Sequence, residues 1–335
     1  MKNITYYVLL LIIIVIILPF MIVRGCSSNY IQEIEEEEEK IIDQESEKIK
    51  FFNVKTGEVQ EAGLEEYIRG VLAAEMPANF QLEALKAQAV AARTYFWGRY
   101  KGIYRASEDR HDDVCICTDP THCQAWISKE DAFKAWGALS ARGNWEKITR
   151  AIRETKGIII TYNNVVANPF YHSNSGGRTE NIEDVWGGKA VPYLKSVVSY
   201  GEEAASVYKK TISMKEKEFV EKLKEKYDDL EFDKKEFMDN IEPLSYTQGG
   251  RVSTIRIGNK ILKGNDMRSI FSLNSTNFKI EDKKGTIYIT TLGYGHGVGM
   301  SQWGANYLAK EGMDFENILK YYYTGVELSY LSDME

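Results

Sequence analysis

The sequence is poor in the features that mark several common protein classes. Its 335 residues include only six prolines, and its 26 glycines follow no three-residue period. A collagen-like or proline-rich disordered chain is thereby excluded. Lysine and arginine number 42 against 49 acids, a net charge of −7. No basic surplus exists for a nucleic-acid binder working through a strongly positive surface. Even that negative charge is local, because residues 1–50 hold nine acids and five bases, four of the seven surplus charges. No Gly-Lys-Ser/Thr follows the glycine-rich stretch near the C-terminus, so there is no Walker phosphate loop. The third glycine of a dinucleotide loop is also missing, since Val298 and Met300 stand where it belongs. No Gly-x-Ser-x-Gly nucleophile elbow is present.

What remains is a folded chain, 44% hydrophobic and 27% charged, with 21 tyrosines and 6 tryptophans that suit sugar rings or peptides better than phosphate. Residues 6–23 form an uninterrupted apolar run, long enough at helical rise to nearly span a bilayer. Lys2 before it favours an inside N-terminus, with Arg24 blunting the asymmetry. No Ala-x-Ala cleavage site follows, so residues 1–24 read as an uncleaved membrane anchor. Cys26 is not preceded by the small uncharged residues of a lipoprotein site. The glutamate-rich residues 25–50 read as a solvated spacer.

Residues 51–335 then read as an α+β ectodomain, with segregated helices and mostly antiparallel strands. Residues 63–100 carry helical periodicity broken at Pro77, the second helix being rich in alanine. Residues 125–141 suggest a third helix. Residues 157–171 read as a hairpin turning at Asn163-Asn164. A helix over residues 215–226, strands at 252–257 and 286–291, and a closing helix pair from Ser301 complete the pattern.

Three places could carry chemistry. Glu75 closes an apolar helix, where the negative helix end and sparse polar neighbours favour a protonated general acid. A glutamate on a solvated helix end is the plainer alternative. Lys86 and Arg93 follow on the next helix, and an arginine in an alanine-rich stretch requires an acidic partner or an anionic ligand. Around Tyr171 and Ser173, small polar residues make a loop of donors and acceptors, more a substrate-contact loop than a Ser–His–Glu triad. Alternating glycines at 293, 295, 297 and 299 allow close backbone approach. They leave His296, Gln302 and Trp303 lining the approached surface, unless the stretch is a buried turn with a satisfied histidine.

These motifs resemble one family. GYGHGVGMSQWGA at 293–305, ILKYYYTG at 318–325, YIRGVLAAEMP at 67–77, LKAQAVAARTY at 85–95, SGGRTE at 175–180 and DMRS at 266–269 resemble the stage II sporulation protein D family, in the family's order and over about residues 52–327. The resemblance implies a peptidoglycan lytic transglycosylase that cuts denuded glycan strands during forespore engulfment. It implies the amidase stage II sporulation protein P and the membrane protein stage II sporulation protein M as partners. It also implies a single-pass location in the mother-cell membrane, with the catalytic domain on the extracytoplasmic side facing the forespore. Glu75 takes the place of the catalytic glutamate, and Lys86 and Arg93 that of the family's basic residues. Such an enzyme needs one carboxyl, acid first and then base toward the sugar's own 6-hydroxyl, with no second carboxylate to activate water. Tyr171, Ser173, His296 and Gln302 are the expected substrate contacts.

One stretch departs from the family pattern. Residues 111–123 gather three of the four cysteines and two of the four histidines. Mixed Cys/His ligands on a short loop suit structural zinc, and His111, Cys117, His122 and Cys123 bracket the Asp119-Pro120 turn. Cys115 is the substitute ligand. A disulfide competes and would leave one thiol unpaired. No cofactor is expected for catalysis itself. Two rival functions stand beside the transglycosylase: a non-enzymatic activator of a cell-wall amidase, as in a related branch of the family, and a zinc hydrolase acting at the Cys/His loop.

Overall fold

Alanine density decides the centre of the fold. The computed structural model describes residues 47–104, 114–233 and 235–334. Two strands, β1 (Lys48–Asn53) and β2 (Glu58–Gly63), lead into helix α1 (Leu64–Glu75), and helix α2 spans Leu82–Tyr100. From Ala84 to Arg99, α2 is buried at every position except Lys86 and Tyr95. A helix apolar on all sides belongs inside a core, and its alanines let neighbours approach closely from several directions.

The chain divides into two contact units, Met1–Ile49 with Glu61–Tyr67, and Lys50–Gln60 with Ile68–Glu335. In the first, the Leu64 N–H donates to the Glu47 carbonyl at 2.8 Å. The second holds the candidate site and the cores described next.

The helix expected over 125–141 is shortened to 129–136. Helix α3 (Lys129–Trp136) is capped by Ser128, whose Oγ accepts the Asp131 N–H at 3.1 Å. A turn over 137–140 stops it, with the Gly137 N–H bonded back to Phe133. Helix α4 (Ala141–Glu154), not anticipated, buries Ala141, Trp145, Ile148 and Ile152, a three-and-four spacing that lays one apolar face on the core. The hairpin is as expected: β3 (Ile158–Tyr162) turns through Asn163 and Asn164, both at positive φ, into β4 (Val165–Val166). Strand β5 (Tyr171–His172) and the short helix α5 (Ile182–Trp186) follow.

A second core lies further along. Strand β6 (Lys209–Lys215), helix α6 (Glu216–Lys224), the meander β7 (Ile241–Tyr246), β8 (Val252–Ile257) and β9 (Lys260–Lys263), helix α7 (Gly264–Ile270), and strands β10 (Phe278–Asp282) and β11 (Thr286–Leu292) build it. Phe219 of α6 stacks on Phe271 at 4.8 Å. The β10–β11–β6 and β7–β8–β9 sheets are antiparallel.

The chain then returns to the first core through β12 (Met300–Ser301), helix α8 (Gln302–Lys310), helix α9 (Phe315–Tyr322) and strand β13 (Glu327–Tyr330), which pairs antiparallel with β3. Helices α4, α8 and α9 and strand β3 all pack on α2. The architecture is α+β with antiparallel sheets, and β12 with β5 is a short parallel exception. Residues 114–116 form no strand. A single bridge from Cys117 to Phe52 stands there instead. No described helix is long and apolar enough to cross a membrane. The apolar run at 6–23, Cys26 and the acidic residues to 46 lie outside the described residues.

Candidate active site

Helix α1 ends at Glu75 with no basic side chain in its last turn. Pro77, two residues on, cannot extend the helix and confines the preceding residue to extended geometry. Glu75 therefore sits at the negative helix end. Burial pushes its pKa up to about 7, outweighing the one hydrogen bond that opposes the shift, from the Ala125 N–H to Oε1 at 2.6 Å. A carboxyl so placed exists in both protonation states near neutrality, and can deliver a proton and take one back.

The Ala125 N–H is held there by close packing against α1. Trp126 lies over Gly70, where a Cβ would come within 2.2 Å of the indole Nε1, and the Ile127 N–H donates to the Gly70 carbonyl at 3.2 Å. Only glycine fits that contact. The residue before Ala125, buried Gln124, accepts the Tyr171 hydroxyl on its Oε1 at 3.0 Å. Two consecutive residues thus join Glu75 to Tyr171.

Tyr171 opens the polar loop, and β5 pairs with β12 so that Met300 faces Tyr171 and Ser301 faces His172. The glycine-rich segment and the polar loop therefore meet edge to edge. Gly299 makes this possible, with φ +73 and a hypothetical Cβ 2.0 Å from the Phe170 carbonyl oxygen. The Ser173 carbonyl accepts the Trp303 N–H at 3.1 Å, tying the loop to the start of α8. Gln302 is buried, and its Nε2 donates to Gln88 Oε1 on α2 at 3.4 Å. It joins two helices.

Sequence reasoning missed the group that organises these loops. Glu202 is fully buried and accepts from Ser175 N at 3.0 Å, Ser175 Oγ at 2.7 Å, Gly177 N at 2.8 Å and Ser199 Oγ at 2.9 Å, and also from Ser301 Oγ. It locks the polar loop to the N-cap of α8. Nothing in Gly201-Glu202-Glu203 announces this. Gln124 was missed as well, although its place directly after Cys123 marks it in hindsight. Buried Arg251 braces the loops from the other side, donating to the carbonyls of Gly295 and Ser175 at 2.9 Å each.

The basic residues of α2 are placed otherwise than expected. Lys86 pairs with Glu83 at 2.7 Å and Glu154 at 2.5 Å, which raises its pKa against the pull of burial. Arg93 is completely buried and donates to the Ile158 carbonyl of β3 at 3.1 Å. A guanidinium sealed in the core offers no surface to a substrate, so Arg93 holds β3 on α2. His296 turns its Nδ1 to the Val298 N–H at 3.1 Å, and its ring lies 5.5 Å from that of His172 and 5.0 Å from Trp186. Burial, reinforced by Arg251 and Arg268, lowers its pKa to about 3, so the ring is neutral.

Among the expected metal ligands, Cys117, His122 and Cys123 converge, with all three ligand atoms within 4.8 Å of one another. His122 Nδ1 lies 3.5 Å from Cys117 Sγ and 3.4 Å from Cys123 Sγ. Tetrahedral zinc, with bonds of about 2.0–2.3 Å, separates its ligand atoms by comparable distances, so the donor set fits. The turn is fixed by the Asp119 carbonyl, which accepts Cys123 N at 2.7 Å and His122 N at 3.1 Å. His111 lies outside the described residues, and Cys115 is outside the cluster, its carbonyl accepting Arg99 Nε at 2.7 Å. No disulfide joins Cys115, Cys117 or Cys123. Cys123 immediately precedes Gln124 and Ala125, so this cluster anchors the segment that holds Glu75.

Comparison with known proteins agrees with these motifs. The family described as Stage II sporulation protein matches residues 53–162. The chain is 41% identical over 271 residues to Stage II sporulation protein D of Bacillus subtilis (strain 168), covering 81% of this chain and 76% of the relative. It is 40% identical over 271 residues to the protein of the same name from Bacillus amyloliquefaciens, covering 81% and 75%. A protein named Amidase enhancer, from Bacillus subtilis (strain 168), is 27% identical over 311 residues, covering 78% of this chain and 40% of that protein.

Proposed function

The chain belongs to the stage II sporulation protein D family, and on that premise we propose that it is a lytic transglycosylase of peptidoglycan acting in sporulation. The observation that carries this reading is Glu75, a single carboxyl with its pKa lifted to about 7 and held by one backbone N–H. In this mechanism the protonated Glu75 gives its proton to the glycosidic oxygen as the bond to the sugar's anomeric carbon breaks. The resulting carboxylate then takes the proton of the same sugar's 6-hydroxyl, whose oxygen closes on that carbon as a 1,6-anhydro ring. Ala125 orients the carboxyl, and Tyr171, fixed by Gln124, lines the approach.

In this reading the chain follows an amidase that strips stem peptides, alongside stage II sporulation proteins P and M. It works on the extracytoplasmic side of a membrane that residues 6–23 anchor it to. Cys117, His122 and Cys123 would hold a structural zinc, completed by His111, with Cys115, which lies outside the cluster, as its substitute. A closed site of this kind crosslinks its loop. The zinc lies outside the chemistry, which separates this reading from a zinc hydrolase.

The relative named Amidase enhancer favours a second reading, a non-enzymatic activator of an amidase. Purified chain incubated with denuded glycan strands separates the possibilities. Release of 1,6-anhydro ends, read by mass spectrometry, is the expected result. A reducing-end product would mean hydrolysis, and no product without an added amidase would mean the activator.

A further inference from the structure

Trp186, the last residue of α5, stands half exposed at 50%. It is braced by two rings, His296 at 5.0 Å and Phe170 at 4.9 Å, and so is a pre-set platform. It borders a cavity of about 460 Å³, into which Arg268, Asn265, Ser269, Ser272 and His296 also face. A second cavity of about 280 Å³ shares Trp186 and Asn265, so the concavity is elongated.

Among the residues lining the larger cavity, Arg268 is the one that is charged at neutral pH, because His296 is held neutral. Arg268 is half-buried and spends its Nε on the Leu273 carbonyl at 3.3 Å. No carboxylate among the described residues forms an ion pair with it. Arginines in such surroundings ordinarily have an acidic partner. Its two terminal nitrogens form the flat fork that matches a carboxylate. A braced aromatic beside small hydroxyl and amide groups and one unpaired guanidinium is the chemistry for a sugar ring bearing a carboxylate.

We infer that Trp186 and Arg268 form a glycan subsite that recognises the free lactyl carboxylate of muramic acid. This rests on the transglycosylase reading and adds to it a means of selection. A stem peptide is attached by an amide at that carboxyl, so the negative charge appears only once the peptide has been removed. The subsite therefore distinguishes a denuded strand from one still carrying peptides. It is linked to Glu75 by contacts already described: the His296 ring lies against His172, whose neighbour Tyr171 is hydrogen-bonded to Gln124, next to Ala125. Arg268 takes the anion-binding role that buried Arg93 cannot.

The test is equilibrium binding by the full chain carrying Glu75→Gln, so that no turnover intervenes. Three probes of equal length are compared: denuded peptidoglycan oligosaccharide, the same oligosaccharide with its lactyl carboxyls converted to amides, and a chitin oligomer. The denuded probe should bind about tenfold or more tightly than the other two, as a charge-assisted pair requires. Arg268→Gln should abolish the difference, while Arg268→Lys keeps part of it. Trp186→Ala should weaken all three probes alike. Free stem peptide should not displace the denuded probe. Equal binding of the carboxylate and amide probes overturns the inference without need of any variant, as does an unchanged preference in a folded Arg268→Gln protein or displacement by free peptide. Because binding is read without cleavage, failure of the transglycosylase reading leaves a separate signature: selective binding together with no 1,6-anhydro product from the unmodified chain.

Discussion

Glu202 and Glu75 are both withdrawn from water, yet the protein treats them in opposite ways. Glu202 is fully buried and accepts five hydrogen bonds, from two backbone N–H groups and three serine hydroxyls. Glu75 accepts one, from Ala125. A carboxylate surrounded by donors has its charge compensated and its lone pairs occupied, and it serves as a scaffold. One that is desolvated with a single donor is poorly compensated as an anion and readily holds a proton. The difference marks Glu75 as the group available for proton transfer, and Glu202 as the group that keeps the surrounding loops in register.

The largest effect that would break this contrast is on chemistry. Glu75→Ala should reduce release of 1,6-anhydro ends by about a thousandfold or more while leaving the melting temperature close to that of the parent. Cleavage at the parental rate would remove Glu75 from the mechanism. The pH dependence sharpens the point. In the proposed mechanism protonated Glu75 is the acid, so the rate should fall as pH rises through about 7. Stability has the same sign. The folded pKa lies above the ordinary 4.5, so the folded state binds the proton more tightly, and stability falls as pH rises from 4.5 to about 7. Glu75→Gln should flatten that slope in denaturant melts at successive pH values, and an undiminished slope would assign it to another group.

Glu202→Ala should do the reverse, unfolding the protein more than it slows any chemical step. It leaves five donors facing a hole, a loss of roughly 3–5 kcal/mol, read from the denaturant midpoint. A variant with the parental midpoint but no activity would collapse the distinction between scaffold and acid.

A smaller effect is expected at the Cys/His turn. Elemental analysis of protein purified without chelator should find about one zinc per chain. Its removal, or Cys123→Ser, should lower the melting temperature by several degrees and activity by about tenfold, because Ala125 loses its anchor. A metal-free protein with a Cys–Cys bridge in its mass spectrum would give the turn to a disulfide. Lys86→Ala should have the least effect. Its pairs with Glu83 and Glu154 are partly solvated, so about 1 kcal/mol or less of stability is at stake, with under a twofold change in cleavage rate. A large loss of rate with intact binding of zinc and normal melting would return Lys86 to the substrate.

The sequence by itself determined the parts that depend on local chemistry. Helical spacing and the proline at 77 delimited α1 and α2. Paired asparagines set the β3–β4 turn. A lone carboxyl at the end of an apolar helix made Glu75 a candidate that the family resemblance then singled out, and clustered thiols and imidazoles identified three members of the Cys/His group. Helix α4 was legible in its spacing yet went unread beside the single longer helix expected at 125–141. Only the tertiary structure decided what each polar side chain faces, because burial and partners come from residues distant in the chain. It sealed Arg93 under β3, gave Lys86 to two glutamates, put Gln302 on Gln88, and filled the pocket of Glu202 with donors from three separate segments. It also left Arg268 facing a cavity beside Trp186. A side chain's charge is written in its own residue, but whether that charge is satisfied depends on what folding brings next to it.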